Sequence, residues 1–572
     1  MPRFVRFLLL PIGLVVALAG AALAAQVPSL SRIEQHGRWL LDDQGRIVML
    51  RGGNLHLPGD GGPDGRPDAG TPRKLADKGF NGVRLVLFFD RLMPEPGNVD
   101  VSYLDEIARA VAGYREAGVY VLLDVHQDEY GPAVGVRGMP AWATFADGHE
   151  PKRQPFPAGY FSDPAIHAAF DNFWRNKPVP GTGKGVQDLY IEGVAALAAR
   201  FRDETAVFGI DVMNEPFPGS RCNQPDPAVA HCPELERELL APFYRRAGDA
   251  IARAAPQTIV FVEPFMLQGA LGVPIATPPP GAIAKRGLSF HQYGTFAQIR
   301  RRGNDYALKS ALATGSAPLN TEWGFTNDPQ VWTAQAEEFD ELLIPWLAWA
   351  RGPFAPIVDE RLPAAGNDNR EATLRALARP YPRATAGTPS RLAFDGASGT
   401  LDFAYSTAAP AGRALSGELT EIVMPAPNFP AGYTVSIEGE GARVVSAPDA
   451  PVLQLRAAAG ANEVRLRAVR KGALPELPPL VATADPYAHL SEPSAAKPAR
   501  GAALSTNSML SDLLGDPRAR AILEREVPEL VNSPQIGMGS QMTLRGLQPF
   551  VPEILGKEVL ERIERALAQH AP

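Results

Sequence analysis

Between Val48 and Ala350 the chain repeats one pattern: a short, almost wholly apolar run, a polar turn and, in most cases, a longer amphipathic stretch. The apolar runs read as strands. One runs from Val48 into Arg51-Gly52-Gly53-Asn54, and the others are Gly82–Phe89, Val119–Val125, Val207–Met213, Thr258–Val262, Gly287–Tyr293, Pro318–Glu322 and Trp346–Ala350. Helical periodicity marks Val101–Ala117, Val186–Phe201, Pro233–Ala254 and Gln330–Leu342. Strands that alternate with helices pair in parallel, and eight such units favour a closed (β/α)8 TIM barrel over an open doubly wound sheet. The polar residues point the same way, because they sit at the C-terminal ends of many different strands, where barrels place their sites. A hairpin over Arg38–Leu50, turning at Asp43-Gln44-Gly45, leads into the first strand.

The barrel is not the whole chain. Residues 1–25 have the form of a signal peptide, with Arg3 and Arg6 before an apolar run that ends at Ala22-Leu23-Ala24. A secreted or periplasmic protein is expected, with an uncleaved membrane anchor as the alternative. Residues 30–385 are assigned to the barrel domain. Residues 388–470 alternate in short runs such as LDFAYS and YTVSIEG between Gly, Pro and Asn turns, the texture of a β-sandwich. A linker rich in Pro and Ala spans 471–503, and 504–570 carries helical patterns that start at Ser505 and Asp516-Pro517, a small C-terminal helical module. Inside the barrel region, the insert Asp128–Pro180 is rich in Gly, Pro and aromatics. It is expected to fold over the mouth and wall a cleft.

A carboxylate at the end of a buried strand is costly to desolvate unless it is hydrogen-bonded or used. Two such ends stand out: VFGIDVMNEP, which closes on Asn214-Glu215-Pro216, and APLNTEWG, which presents Glu322. Paired carboxyl groups are the equipment of glycoside hydrolysis, one giving a proton to the leaving oxygen while the other attacks the anomeric carbon. Residues two apart on a strand share a face, so Asp124, His126 and Asp128 are expected together, as are His291 with Tyr293 and Asn320 with Glu322. Asn214 and Glu215 are adjacent, so both reach a cleft only if the chain kinks there. Arg84, on an otherwise apolar strand, requires a carboxylate partner. Glu322 is expected to ionise with help from Arg84 and Tyr293, while Glu215 keeps its proton until it donates.

Lys and Arg total 56 against 63 Asp and Glu, a net charge of −7 that counts against nucleic acid as a ligand. The two cysteines, Cys222 and Cys232, lie in one loop after the Asn214-Glu215-Pro216 turn. In an oxidising compartment they are expected to form a disulfide; two unpaired thiols are the alternative. They have no Cys or His companions at zinc-binding spacing, so no metal or organic cofactor is expected. No obligate protein partner is inferred.

These pieces together resemble glycoside hydrolase family 5, and within it the endoglycoceramidase and glucosylceramidase branch. The resemblance rests on Gly209-Ile210-Asp211-Val212-Met213-Asn214-Glu215-Pro216, RGGNLH, LLDVHQD with Gly138–Trp142 after it, the pair His291 and Tyr293, and Glu322-Trp323-Gly324. The sandwich segment GELTEIVMPAPNFPAGYTVSIEGEGA extends it, so that it runs from Arg38 to Val469. It implies Glu215 as acid/base, Glu322 as nucleophile, and Asn214, His126, Asp128, His291 and Tyr293 as sugar-binding positions. Arg84 and Tyr293 then orient the nucleophile. Trp349 is the candidate platform under the sugar, with Trp346 as the rival. The implied activity is retaining hydrolysis of a glycosphingolipid, met at a membrane surface; a sterol β-glucosidase or β-1,4-endoglucanase is the alternative, and a non-catalytic carbohydrate-binding barrel the remote one.

Overall fold

The computed structural model describes residues 30–569 apart from 58–69, 155, 223–231, 267, 270–271, 277–283, 294–296, 325–327, 350–368, 411, 413–414, 416, 482–503, 534–535, 537–541 and 549–550. The segment read as a signal peptide lies outside these residues, as does most of the expected linker. Eight strands close into a barrel: β1 (Arg51–His56), β2 (Gly82–Phe88), β3 (Tyr120–His126), β4 (Val207–Asp211), β5 (Ile259–Val262), β6 (Arg286–Gln292), β7 (Ala317–Trp323) and β8 (Trp346–Ala348). Each pairs in parallel with its neighbours in sequence, and β8 closes on β1.

The inward faces form layers of different chemistry. At the N-terminal end Leu122, Phe261, Leu319 and Leu347 pack with Leu40, Val48 and Leu50 as an apolar plug. Two glycines make room for the Phe261 ring: an added Cβ at Gly209 would stand 2.7 Å from it, and one at Gly287 2.1 Å. Above the plug the side chains of Asn54, Arg84, Asp124, Asp211, Glu263, Ser289 and Thr321 form a buried polar layer. Outside the strands the helices supply the larger apolar core, which includes Trp323, Trp332, Phe339 and Trp346.

The N-terminal hairpin belongs elsewhere than the sequence suggests. Trp39–Leu41 and Ile47–Val48 do pair antiparallel, but Ile47–Val48 pairs on its other side with Tyr381–Thr385. They are part of a seven-stranded sheet that also holds Leu419–Val423, Val452–Ala457 and Ala442–Val444. The barrel strand begins only at Arg51. A four-stranded sheet of Thr388–Asp395, Thr400–Ser406, Glu463–Arg470 and Tyr433–Ile437 faces it, with a core that includes Tyr381, Phe403, Ile422 and Leu455. The sandwich therefore takes strands from both sides of the barrel in the sequence.

Other helices depart from expectation. Ala297–Thr314 is an 18-residue helix where the sequence pattern predicts none. The insert carries the helices Ala158–Ser162 and Pro164–Trp174, the second capped by Asp163, whose carboxylate accepts the Ala165 N–H. The C-terminal helices, from Leu510–Gly515 to Lys557–Ala568, share an apolar core that also takes in Ile299 of the barrel helix. Among the described residues no helix is long and apolar enough to cross a membrane.

Candidate active site

Arg84 is the centre of the polar layer. It is fully buried, and burial without partners would be prohibitive. Its Nη1 donates to Glu322 Oε1 at 2.7 Å and Asn54 Oδ1 at 3.2 Å. Its Nη2 donates to Asn214 Oδ1 and Glu263 Oε1, both at 2.9 Å, and Nε to Asp211 Oδ2 at 3.1 Å. Asp124 Oδ1 lies 3.0 Å from Nη2. The single carboxylate partner that the sequence demands is thus four carboxyl groups from four strand ends. The four do not respond alike: against the cost of burial, His291 and Arg84 hold Glu263 down to about 2. Burial, with Glu263 adding to it, pushes Asp211 well above the ordinary carboxylate range.

Above this layer stand the residues singled out in the sequence. Glu322 Oε2 accepts a hydrogen bond from the Tyr293 hydroxyl at 2.7 Å, so its two oxygens are held by Tyr293 and Arg84. His291 Nδ1 is 2.8 Å from Glu215 Oε1 and 3.5 Å from Glu322 Oε2. One oxygen of each glutamate and a ring nitrogen of His291 lie within 4.8 Å of one another. Asp124 and His126 share a face as expected, with His126 Nδ1 2.7 Å from Asp124 Oδ2, and Asp128 Oδ2 lies 3.4 Å from Nε2. Trp349 stacks on His126, with ring centroids 5.2 Å apart and planes at 10°. Trp346 instead packs among Trp323, Phe80 and the Arg51 guanidinium on the helix side. Trp349 therefore faces the mouth. Cys222 and Cys232 form a disulfide.

Asn214 and Glu215 both reach the cleft because β4 has already ended and Glu215 takes a left-handed backbone with φ of 43°. Side chains hold that turn. Gln127 Nε2 donates to the carbonyls of Asn214 and Glu215 at 2.9 and 2.8 Å, and Glu263 Oε2 accepts the Glu215 N–H at 2.9 Å.

Two expectations are corrected. Asn320 does not share the face of Glu322: the pairing of β7 with β6 skips Thr321, a bulge that turns both Thr321 and Glu322 inward. The insert's aromatics chiefly anchor it: Tyr130, Tyr160 and Phe173 are buried, and Trp174 Nε1 donates to the Phe217 carbonyl. Phe161 is the exposed one, at 40%. Burial raises Glu322 to about 7; His291 and, as expected, Arg84 oppose the rise, and Glu215 adds to it. The two histidines are drawn towards their charged forms. Burial disfavours a charged His126, but Asp124 and Asp128 raise it to about 9. His291 is likewise held well above its ordinary value by Glu263 and Glu322 against the cost of burial.

Glu263, Gln127 and Asp211 take part without having been assigned a role from the sequence. Val262-Glu263-Pro264 carries the same signal as Asn214-Glu215-Pro216, an acid at the end of a buried strand followed by proline.

Comparison with known proteins agrees with this geometry. Residues 41–355 match the family model described as Cellulase (glycosyl hydrolase family 5), and residues 379–467 match the glycoside hydrolase family 5 C-terminal domain. Endoglycoceramidase I of Rhodococcus hoagii (strain 103S) is 31% identical over 472 residues, covering 77% of this chain and 89% of that one. Endo-glycoceramidase II from Rhodococcus sp., solved as a lactosyl-enzyme intermediate, superposes with a TM-score of 0.62 at 28% identity, over 77% of this chain and 100% of that one. Its complex with ganglioside GM3 gives the same score and identity over 76% and 99%. The match spans the barrel and the sandwich in a single relative, and the chain belongs to glycosyl hydrolase family 5.

Proposed function

We propose that the protein is a retaining β-glycosidase that hydrolyses the bond between sugar and lipid in glycosphingolipids, of the endoglycoceramidase or glucosylceramidase type. The observation that carries the chemistry is the proximity of Glu215 and Glu322, whose nearest oxygens fall within 4.8 Å. Carboxyl groups about 5–5.5 Å apart suit double displacement, whereas inverting enzymes leave about 6.5–9.5 Å for a water. Glu322, steadied by Arg84 and Tyr293, attacks the anomeric carbon. Glu215 gives its proton to the departing oxygen, and a glycosyl-enzyme forms on Glu322. Water then gives a proton to Glu215 and its oxygen to the sugar, which leaves with its configuration retained. His126, Asp128, Asn214, His291 and the Trp349 ring are assigned to holding the sugar.

The glycolipid part of the reading is supported by the Rhodococcus relatives, which align with this chain through both domains. Action outside the cytoplasm, at a membrane surface, is supported by the basic and apolar N-terminal segment and by the disulfide. One panel tests the substrate: glucosylceramide, a ganglioside, a steryl glucoside and cellotetraose, with products read by mass spectrometry. Release of an intact oligosaccharide and ceramide from the ganglioside is the endo outcome, and glucose from glucosylceramide the exo outcome. Cleavage of cellotetraose or the steryl glucoside alone would overturn the sphingolipid reading.

A further inference from the structure

We propose that Glu263 is a positioning residue for the acid/base group, holding the Glu215 backbone in its turn and facing His291 from the side opposite Glu215. The inference rests on the reading of Glu215 as acid/base. Glu263 follows β5 directly and is 2% exposed. Its main chain is fixed: the Glu263 N–H donates to the Tyr244 hydroxyl at 3.2 Å, and that hydroxyl donates to the Glu263 carbonyl at 2.8 Å. Its two oxygens do different work. Oε2 accepts the Glu215 N–H at 2.9 Å, while Oε1 accepts from Arg84 at 2.9 Å and lies 3.3 Å from His291 Nε2.

The first task is conformational. A non-glycine residue with positive φ persists only where its surroundings over-determine it. Gln127 holds the carbonyls of the turn, and the Glu215 N–H is held by Glu263 alone among the described residues. The second task is electrostatic. His291 is faced by Glu215 from the turn after β4, Glu263 from just after β5 and Glu322 from β7, with Tyr293 edge-on from just after its own strand, β6. Arg84 reaches Glu263 and Glu322 from β2. A carboxylate suits Oε1 because the groups that meet it, Arg84, His291 and the Ser289 hydroxyl at 3.4 Å, can all donate. An amide there would leave one face of the side chain able to accept but remove the charge.

Glu263→Gln and Glu263→Asp separate the two tasks. Glu263→Gln removes a negative charge from beside His291, Arg84 and the two catalytic glutamates, which lowers the pKa of each neighbour that holds a proton. Both limbs of the kcat/KM profile should move to lower pH. Glu263→Asp keeps the charge and shortens the reach, so the limbs stay and kcat falls. Because proton donation is what suffers, Glu263→Gln should lose about a hundredfold on an alkyl β-glycoside. On a dinitrophenyl β-glycoside, whose leaving group needs no proton, the loss should be below about tenfold. Equal losses on both substrates with unmoved limbs, in protein of unchanged circular dichroism, would overturn the proposal. A second measurement needs no turnover. The His291 imidazole, followed by 15N NMR, should titrate at lower pH in Glu263→Gln, and an unchanged titration would overturn the electrostatic role. Wild-type protein inactive on both glycosides would overturn the functional reading instead, leaving the NMR result to judge Glu263.

Discussion

Arg84 shows why the site could be found from single residues and why its full extent could not. An arginine on a strand that is otherwise apolar signals a buried partner, and that signal is legible. Which partners it meets depends on barrel closure: Asp124, Asp211, Glu263 and Glu322 come from four strands that are far apart in sequence. Glu263 carries a local signal of its own, an acid at a strand end before proline, but nothing in that signal says that it meets Arg84. The protons that the histidines hold beside these carboxyl groups have consequences for stability. The folded state favours charged His126, raised from 6.5 to about 9 by Asp124 and Asp128 once the cost of burial is met. A raised histidine contributes fully below about pH 6.5, and the contribution is lost as pH climbs through 9. His291 adds in the same direction. Thermal melts from pH 6 to 9.5 should therefore fall on the alkaline side, and His126→Gln should flatten that slope. The proposed nucleophile makes a separate prediction. Glu322→Ala should lose at least about 10⁴-fold in kcat, and azide should restore turnover of an activated glycoside with inverted product.

At the level of elements, the strands were legible because a strand buried on both faces is a continuous apolar run. The helix Ala297–Thr314 was not, since AQIRRRGNDYALKSALAT interrupts its apolar positions with three consecutive arginines, a glycine and an asparagine. Packing against the barrel overrides that weak pattern. The face shared by Asn320 and Glu322 failed for a different reason. A bulge changes the period of two by one residue, and nothing local in APLNTEWG announces it. The loop after Glu215 offers an element-scale test. The disulfide joins Cys222 to Cys232 across a separation of 10. A closed loop of that size restricts the unfolded chain by about 3 kcal/mol in the chain-entropy model. Replacing both cysteines with serine should lower the unfolding free energy from urea titration by that amount, and alkylation without reductant should find no free thiol in the native protein.

Across the whole molecule, barrel and sandwich are joined by charge as well as by strands. Asp340, on the helix Pro329–Leu342, accepts from Arg51 at the start of β1 and from Arg379 just before the sandwich, the latter at 2.9 Å. All three are nearly inaccessible, so Asp340→Ala would take the carboxylate from buried Arg51 and leave Arg379 only Glu337, 3.8 Å away. It should destabilise the protein by about 3–5 kcal/mol in urea titration, with no residue of the mouth altered. The rigid frame matters because it sets how far apart Glu215 and Glu322 stand, and that distance underlies the proposed chemistry. The most direct test is to trap the intermediate with a 2-deoxy-2-fluoro β-glycoside bearing an activated leaving group, then digest the protein and map the adduct by mass spectrometry. The account predicts one added glycosyl group on the peptide that contains Glu322. Hydrolysis without any adduct, or an adduct on a different residue, would contradict it.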